Sequence, residues 1–144
     1  MRILDRFSSE HDVFISQLNV IEDLAAHGAN ISSLSATIRT LAAPLLAHAA
    51  NEESVLFPVL GPTMEGPIRV MVGEHETIHG YVERLVAEPS RVELEQTLDA
   101  FLRILRGHID KEEQIFFPAA GELLDDAKQQ RLDRDVRVGA IVAV

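Results

Sequence analysis

The sequence contains no cysteine among its 144 residues. Disulfide bonds and thiolate metal sites are therefore excluded, and any bound metal must be held by histidine and carboxylate side chains. The chain also lacks long apolar runs, since no segment approaches the roughly 18 apolar residues that span a bilayer. The N-terminal stretch MRILDRFSSEHDVF carries charges every few residues, unlike a secretory signal peptide. We expect a soluble, cytoplasmic protein that does not associate with membranes.

Basic residues are also scarce. Lysine and arginine number 13 against 23 aspartates and glutamates, which gives a formal net charge of −10. This balance argues against nucleic acid as a partner, because phosphates require basic patches. Hydrophobic residues nevertheless make up 47% of the chain, so a chain of this length can bury the core of one domain.

Turn-forming residues divide the chain into four long segments with helical periodicity. The breaks fall at Gly28, in the Gly- and Pro-rich stretch 61–67, at 88–90 and near Gly121. Apolar residues between them recur in alternating steps of three and four, the seam of a helical bundle. We predict an all-α protein, an antiparallel up-down-up-down four-helix bundle over residues 1–127. Residues 128–144 would form a short C-terminal extension, helix or tail, which packs over one end of the bundle or contacts another subunit.

Local signals refine these helices. Ser90 and Glu93 fit a capping box that opens the fourth helix, and Pro67 fits the first turn of the third. Pro44 lies inside the second helix, where it removes a backbone hydrogen bond, so we expect a kink or a local bulge there. After their glutamates, the second and fourth seams are predicted to continue through Val55, Val59, Ile115 and Ala119. The predicted seam of the third helix is Ile68, Val72, His75, His79, Val82 and Val86.

Seven polar residues interrupt these apolar seams. They are His11, His48, Glu52, His75, His79, His108 and Glu112. A shift of 60 residues maps His48, Glu52, Glu53 and Pro58 onto their counterparts in the second half, and a shift of 64 maps Glu10 and His11 onto Glu74 and His75. The same shift maps Ile15 onto His79, which is a mismatch. Two similar halves would place equivalent groups opposite one another across the core.

Polar groups on a core seam require compensation. A buried carboxylate without a partner costs several kcal/mol, and either a His–Glu hydrogen-bond network or a bound cation would supply one. Six of the seven residues form three i, i+4 pairs, each of which shares one helix face. The pairs are His48 with Glu52, His75 with His79, and His108 with Glu112. Seven ligands exceed the four of a tetrahedral zinc site and suit two carboxylate-bridged metals. Imidazole with carboxylate is compatible with iron, manganese or zinc.

The pattern resembles the hemerythrin-like (HHE cation-binding) family of four-helix di-iron proteins. The matching blocks are Glu10-His11-Asp12, HAANEESVLFPVL at 48–60, GEHETIHG at 73–80 and HIDKEEQIFFPAA at 108–120. The resemblance implies two iron ions joined by an oxo or hydroxo group, with Glu52 and Glu112 as bridges. His75, His79 and His108 would bind one iron, and His11 and His48 the other.

The resemblance does not decide which glutamate is the second bridging carboxylate, and it implies a pocket for a small molecule. Oxygen-carrying hemerythrins place the second carboxylate five residues after the last histidine, which here selects Glu113, whereas the seam register and the repeat favour Glu112. Because Ile15 supplies no ligand, the iron held by His11 and His48 would keep an open position. Leu105 matches a leucine that overhangs the pocket of oxygen-binding relatives, and Phe14 would form another apolar wall.

The resemblance implies several activities. Our first expectation is reversible binding of dioxygen or nitric oxide by a stand-alone carrier, sensor or scavenger. The family's repair proteins carry a cysteine-bearing segment, and its sensors are fused to a signalling or degradation module; we expect neither here. The alternatives are a di-iron peroxidase or catalase-like enzyme acting on peroxide, and an iron store or sensor acting through a protein partner.

Overall fold

A computed structural model describes residues 1–142, with side chains described for residues 1–136. Every secondary-structure element in the described residues is helical, which confirms the predicted all-α class. Six α-helices follow one another: α1 (Ile3–Ala26), α2 (Ile31–Asn51), α3 (Glu65–Val86), α4 (Arg91–Lys111), α5 (Phe117–Leu123) and α6 (Asp126–Val142). None of these helices is long and apolar enough to cross a membrane, as far as the chain is described.

The four long helices pack in a closed circuit. Contacts join α1 to α2, α2 to α3, α3 to α4 and α4 back to α1. The loops between them use residues suited to helix ends. Asn30 accepts a hydrogen bond from the Ser33 amide at the start of α2, and Ser90 accepts one from the Glu93 amide at the start of α4, as the predicted cap requires. Gly28 takes a φ of 78° between α1 and α2, a conformation that glycine adopts without strain.

Helix α2 and helix α4 each end in a wide π turn, at Glu52–Leu56 and Glu112–Phe116. The Phe57 amide bonds the Glu52 carbonyl and the Phe117 amide bonds the Glu112 carbonyl, five residues back instead of four. Proline follows each phenylalanine, and its ring has no N–H and clashes with the carbonyl four residues earlier. The widened turn relieves that conflict. Helix α2 itself runs through Pro44 as a continuous α-helix, so of the kink or bulge predicted there the bulge is wrong and the kink stays a prediction.

The π turns change which residues face the core. Each inserts an extra residue, so the seam after each glutamate moves by one position. Leu56, Phe57, Phe116 and Phe117 are buried, whereas Val59 is 37% and Ile115 is 69% exposed. Of the seam that we predicted through Val55, Val59, Ile115 and Ala119, the positions of Val59 and Ile115 are therefore wrong, whereas Val55 and Ala119 are partly buried and pack against the core. In α3 the buried residues are Met71, His75, Ile78, Val82 and Leu85. The predicted seam position of His79 is exposed, whereas that of Val86 is partly buried and packs against the core.

The apolar core has two parts with a polar layer between them. One cluster contains Phe14, Leu45, Ile78 and Leu105, among others. The other contains Phe7, Leu56, Met71 and Phe116, among others. Along each long helix, a histidine lies between residues of the two clusters. The sequence therefore places one histidine per helix at the same level of the packed helices.

Helix α6 packs against α1 and the first π turn. Leu132 and Val136 are buried in the same cluster as Ile3 and Phe7. Arg6 donates two hydrogen bonds to the carboxylate of Asp133, which is buried. The first part of the predicted extension is thus a helix on the end of the core. The side chains of GAIVAV at 139–144 lie outside the described residues.

Candidate metal centre

Four buried histidines meet in the polar layer, one from each long helix. They are His11 of α1, His48 of α2, His75 of α3 and His108 of α4. Glu52 and Glu112 lie one turn after the histidines of α2 and α4, so each shares a helix face with its histidine. Both glutamates are 0% exposed. Buried carboxylates at this depth need partners that compensate their charge.

The six side chains form two groups of three potential ligands. His11, His48 and Glu112 make up the first group, and Glu52, His75 and His108 the second. Within each group, one ligand atom per residue lies within 4.8 Å of the others. Each group therefore offers two imidazole nitrogens and one carboxylate oxygen.

The two glutamates lie between the groups. Glu52 Oε1 is 3.3 Å from His48 Nε2 and 3.2 Å from His75 Nε2. Glu112 Oε1 is 3.2 Å from both His11 Nε2 and His108 Nε2. Each carboxylate thus approaches an imidazole of both groups. A carboxylate in that position can bridge two metal ions.

Several buried polar atoms in this layer have no hydrogen-bond partner among the described residues. They are both carboxylate oxygens of Glu52, Oε2 of Glu112, and Nε2 of His75 and His108. Leaving a buried polar atom unsatisfied costs about 1–3 kcal/mol. The atoms belong to residues of the two groups, so cations bound within these groups would satisfy them together. The residues therefore fit a metal site.

Charges within the cluster raise the pKa values of three histidines and move the pKa values of the two buried glutamates in opposite directions, up for Glu52 and down for Glu112. Burial alone would lower the pKa of His48, but its contacts with Glu10 and Glu52 outweigh burial and raise that pKa to about 10. The pKa values of His75 and His108 are also raised, because contacts with Glu52 and Glu112 respectively outweigh burial. Burial and the neighbouring Glu112 raise the pKa of Glu52. Without metal, His48, His75 and His108 therefore bind protons more tightly than a free imidazole does.

Four further glutamates, which we call the outer glutamates, bind the far side of the histidine rings. Each accepts a hydrogen bond from a histidine Nδ1, and these distances run from 2.6 to 2.8 Å. The pairs are Glu10 with His48, Glu53 with His75, Glu74 with His108, and Glu113 with His11. The repeat in the sequence pairs Glu10 with Glu74 and Glu53 with Glu113, and the only role predicted among the four is that of Glu113 as the alternative bridging carboxylate. That internal repeat was the available signal.

A small cavity adjoins the cluster on its apolar side. Its volume is about 20 Å³, and all four buried histidines contribute to its wall. Phe14 and Leu105 line it, together with Leu45, Ile78 and Ile109, and their role in a ligand pocket stays a prediction. A volume of about 10–15 Å³ accommodates one water molecule. The cavity therefore suits a ligand of one or two heavy atoms.

Comparison with known proteins agrees with this geometry. A family model described as the hemerythrin HHE cation-binding domain matches residues 2–120. The chain belongs to that family. Searches of curated proteins and of solved structures gave no match. The matched range contains α1 to α4 and both π turns, so the HHE domain holds every residue of the two groups.

One ligand implied by the hemerythrin resemblance lies apart from this HHE cluster. His79 is exposed, with half of its side chain accessible, and its Nε2 lies 3.4 Å from Glu83. Its predicted seam position is wrong because α3 turns Ile78 into the core instead. His79 is among the residues that line the cavity. The structure brings together six of the seven predicted ligands, and His79 as a seventh stays a prediction.

The two halves of the HHE domain are more alike than the sequence suggested. Ile15, the counterpart of His79, is partly buried against the core cluster that contains Phe14 and Leu105. It is not among the described residues that line the cavity. Neither position joins the cluster, so the mismatch between them does not make the two groups unequal. Each group has two histidines, and both glutamates approach both groups.

Glu112 and Glu113 take different positions in this HHE domain. Glu112 points into the layer, whereas the Glu113 side chain is 36% exposed and bonds His11 Nδ1 and the Ser8 hydroxyl. Glu112, which the seam register favours, thus lies with the histidine Nε2 atoms. Its role as a bridge stays a prediction, which we test below.

Proposed function

We propose that this HHE domain is a non-heme di-iron protein, built as an antiparallel four-helix bundle, that binds a small ligand at an open iron position. Dioxygen or nitric oxide would be the ligand, and the protein would act as a carrier, sensor or scavenger. The observation that carries this proposal is the pair of buried groups, each with two histidines and one carboxylate, that share Glu52 and Glu112 as neighbours.

The donor set supports iron. Two imidazoles with one carboxylate and open positions are the ligands typical of non-heme Fe(II) centres. A structural zinc site would instead be closed by four protein ligands around one ion. The first metal would be held by His11 and His48, and the second by His75 and His108. Bound iron would supply an exchangeable coordination position and the electrons for interaction with a diatomic gas.

The cavity supports a small ligand. About 20 Å³ beside the cluster excludes an organic substrate of ordinary size. Phe14, Leu45 and Leu105 give it an apolar wall, which limits the water that can approach the cluster. Such a wall favours binding of an uncharged gas over reactions that consume protons from solvent.

Hydrogen peroxide has as many heavy atoms as dioxygen, so the same cavity admits it. This keeps a peroxidase or catalase-like enzyme as the second candidate. The two candidates differ in what happens after the ligand enters. A carrier or sensor returns the ligand unchanged, whereas an enzyme converts peroxide continuously.

The test is anaerobic loading of the protein with Fe(II), followed by separate additions of dioxygen, nitric oxide and peroxide under optical observation. Gas binding should change the spectrum, and removal of the gas should reverse the change. Leu105→Ala should enlarge the cavity and alter the rate of that response, whereas Leu123→Ala, at a position 47% exposed, should not. Sustained oxygen release from peroxide would favour the enzyme. An unchanged spectrum with all three additions would reject the proposal.

A further inference from the structure

The outer glutamates connect the four long helices in a closed ring. Each one lies on, or directly after, one helix and bonds the histidine of the next helix. The order is Glu10 of α1 to α2, Glu53 after α2 to α3, Glu74 of α3 to α4, and Glu113 after α4 back to α1. No helix holds its own histidine in this way among the described contacts. The ring therefore depends on how the helices are packed together.

Each of these bonds determines which ring nitrogen faces the cluster. An ionised carboxylate only accepts hydrogen bonds, so the histidine Nδ1 must donate. The proton on Nδ1 leaves Nε2 as the atom available to a metal. Nε2 is the atom that approaches Glu52 or Glu112 in every one of the four histidines.

Other side chains hold two of the outer glutamates in place. Glu113 Oε2 accepts a hydrogen bond from Ser8 at 2.9 Å, while its Oε1 bonds His11. Glu74 Oε2 forms an ion pair with Lys111, while its Oε1 bonds His108. With both oxygens engaged, these carboxylates are fixed in orientation as well as in position.

We propose that the outer glutamates are positioning residues that fix, from a neighbouring helix, the tautomer and ring orientation of one histidine each. This inference rests on the proposed metal-binding function, since the oriented Nε2 atoms are the proposed metal ligands. It assigns two outer glutamates to each group. Glu10 and Glu113 orient the histidines of the first group, and Glu53 and Glu74 those of the second.

The first test is zinc binding to the metal-free protein, measured in competition with a coloured chelator. Removal of the partner of a metal-bound histidine typically weakens metal affinity by about 10–100-fold. The double variant Glu10→Ala/Glu113→Ala should lower the affinity for one of the two zinc ions by that factor. The double variant Glu53→Ala/Glu74→Ala should lower the affinity for the other. Glu76→Ala is the matched control, because Glu76 lies on α3 beside Glu74 but is exposed. It should bind both ions normally.

The second test separates positioning from a general loss of structure. In zinc-loaded protein with isotope-labelled histidine, each Nδ1–H should give its own imidazole resonance by NMR. Glu10→Ala should remove or shift the resonance of His48 and leave the other three in place. Glu10→Gln keeps an acceptor oxygen, so it should restore the resonance and most of the affinity.

The outcomes distinguish this inference from the proposed function. If the unaltered protein binds no zinc or other divalent metal, the metal-binding proposal itself fails. If it binds two ions and the alanine double variants bind them equally well, the positioning role is wrong. The same conclusion follows if a variant affects all four histidine resonances alike.

Discussion

At the scale of single residues, Glu112 and Glu113 are neighbours with different environments. Glu112 is fully buried beside histidines of both groups, whereas Glu113 is partly exposed and bonds His11 from the outside. Glu112→Ala should therefore halve or abolish metal loading. Glu113→Ala should still load two metals when metal is in excess, because solvent can replace its hydrogen bond to His11. Metal analysis of both variants after dialysis against excess metal compares them directly. The reverse order would place Glu113 among the direct ligands.

The role of His79 can be tested by comparison with its neighbour His75 on the same helix. His75 is buried with its Nε2 3.2 Å from Glu52, whereas the His79 side chain is half exposed beside Glu83. His75→Ala should lower the metal content, because the second group loses a ligand. His79→Ala should leave the metal content close to that of the unaltered protein. Elemental analysis of the two purified variants is sufficient. Equal loss of metal from both variants would restore the seven-ligand set.

At the scale of helices, the sequence predicts the seams wherever the spacing is regular. In α2, the predicted seam residues Leu34, Ile38, Leu41 and Leu45 are buried. After Glu52 the buried positions move by one residue relative to the prediction, because a π turn follows. That turn arises from the backbone conflict at Pro58, which the spacing of apolar residues does not reveal. In α3, apolar residues stand in both candidate registers, as with Met71 and Val72. Packing against the neighbouring helices decides between them.

The hydrogen bonds of the outer glutamates are the part of the site that could not be predicted from the sequence. Glu10 stands next to His11 in the sequence, yet it bonds His48 of the next helix. Residues of the two ligand groups could be predicted where they form pairs on one helix face, as His48 and Glu52 do. The outer pairs cross between helices, so they depend on helix packing, which spacing along one helix does not specify.

The packing of helix α6 against the core can also be tested. Leu132 is buried against residues of α1, so Leu132→Ala should lower the free energy of unfolding by about 2–5 kcal/mol. The exposed neighbour Arg131→Ala should change it by less than about 0.5 kcal/mol. Chemical denaturation of both variants gives the comparison. If Leu132→Ala unfolds like the control, α6 does not belong to the cooperative core.

At the scale of the whole molecule, stability of the metal-free protein should depend on pH. The pKa of His48 rises from 6.5 to about 10 on folding, and those of His75 and His108 rise as well. A raised pKa means that the folded state binds protons more tightly. The stabilisation is complete below pH 6.5 and is lost as the pH approaches 10. Glu52, whose pKa is also raised, adds to this loss.

Thermal melts of metal-free protein between these pH values should show a falling melting temperature. Metal-loaded protein should resist this change, because bound metal replaces the protons on the Nε2 atoms. Metal binding should also raise the melting temperature at a fixed pH, since metal binds the folded state alone. Superimposable melts with and without a chelator would contradict the link between metal and fold.

The whole account depends on two metal ions held in one layer of the protein. The direct measurement is the metal content of protein purified from iron-replete cells, determined together with protein concentration by amino-acid analysis. Two groups with shared carboxylates predict close to two iron ions per chain, and loss of both sites in a variant that combines Glu52→Ala with Glu112→Ala. A single tightly bound zinc ion per chain, with no capacity for a second metal, would contradict the account.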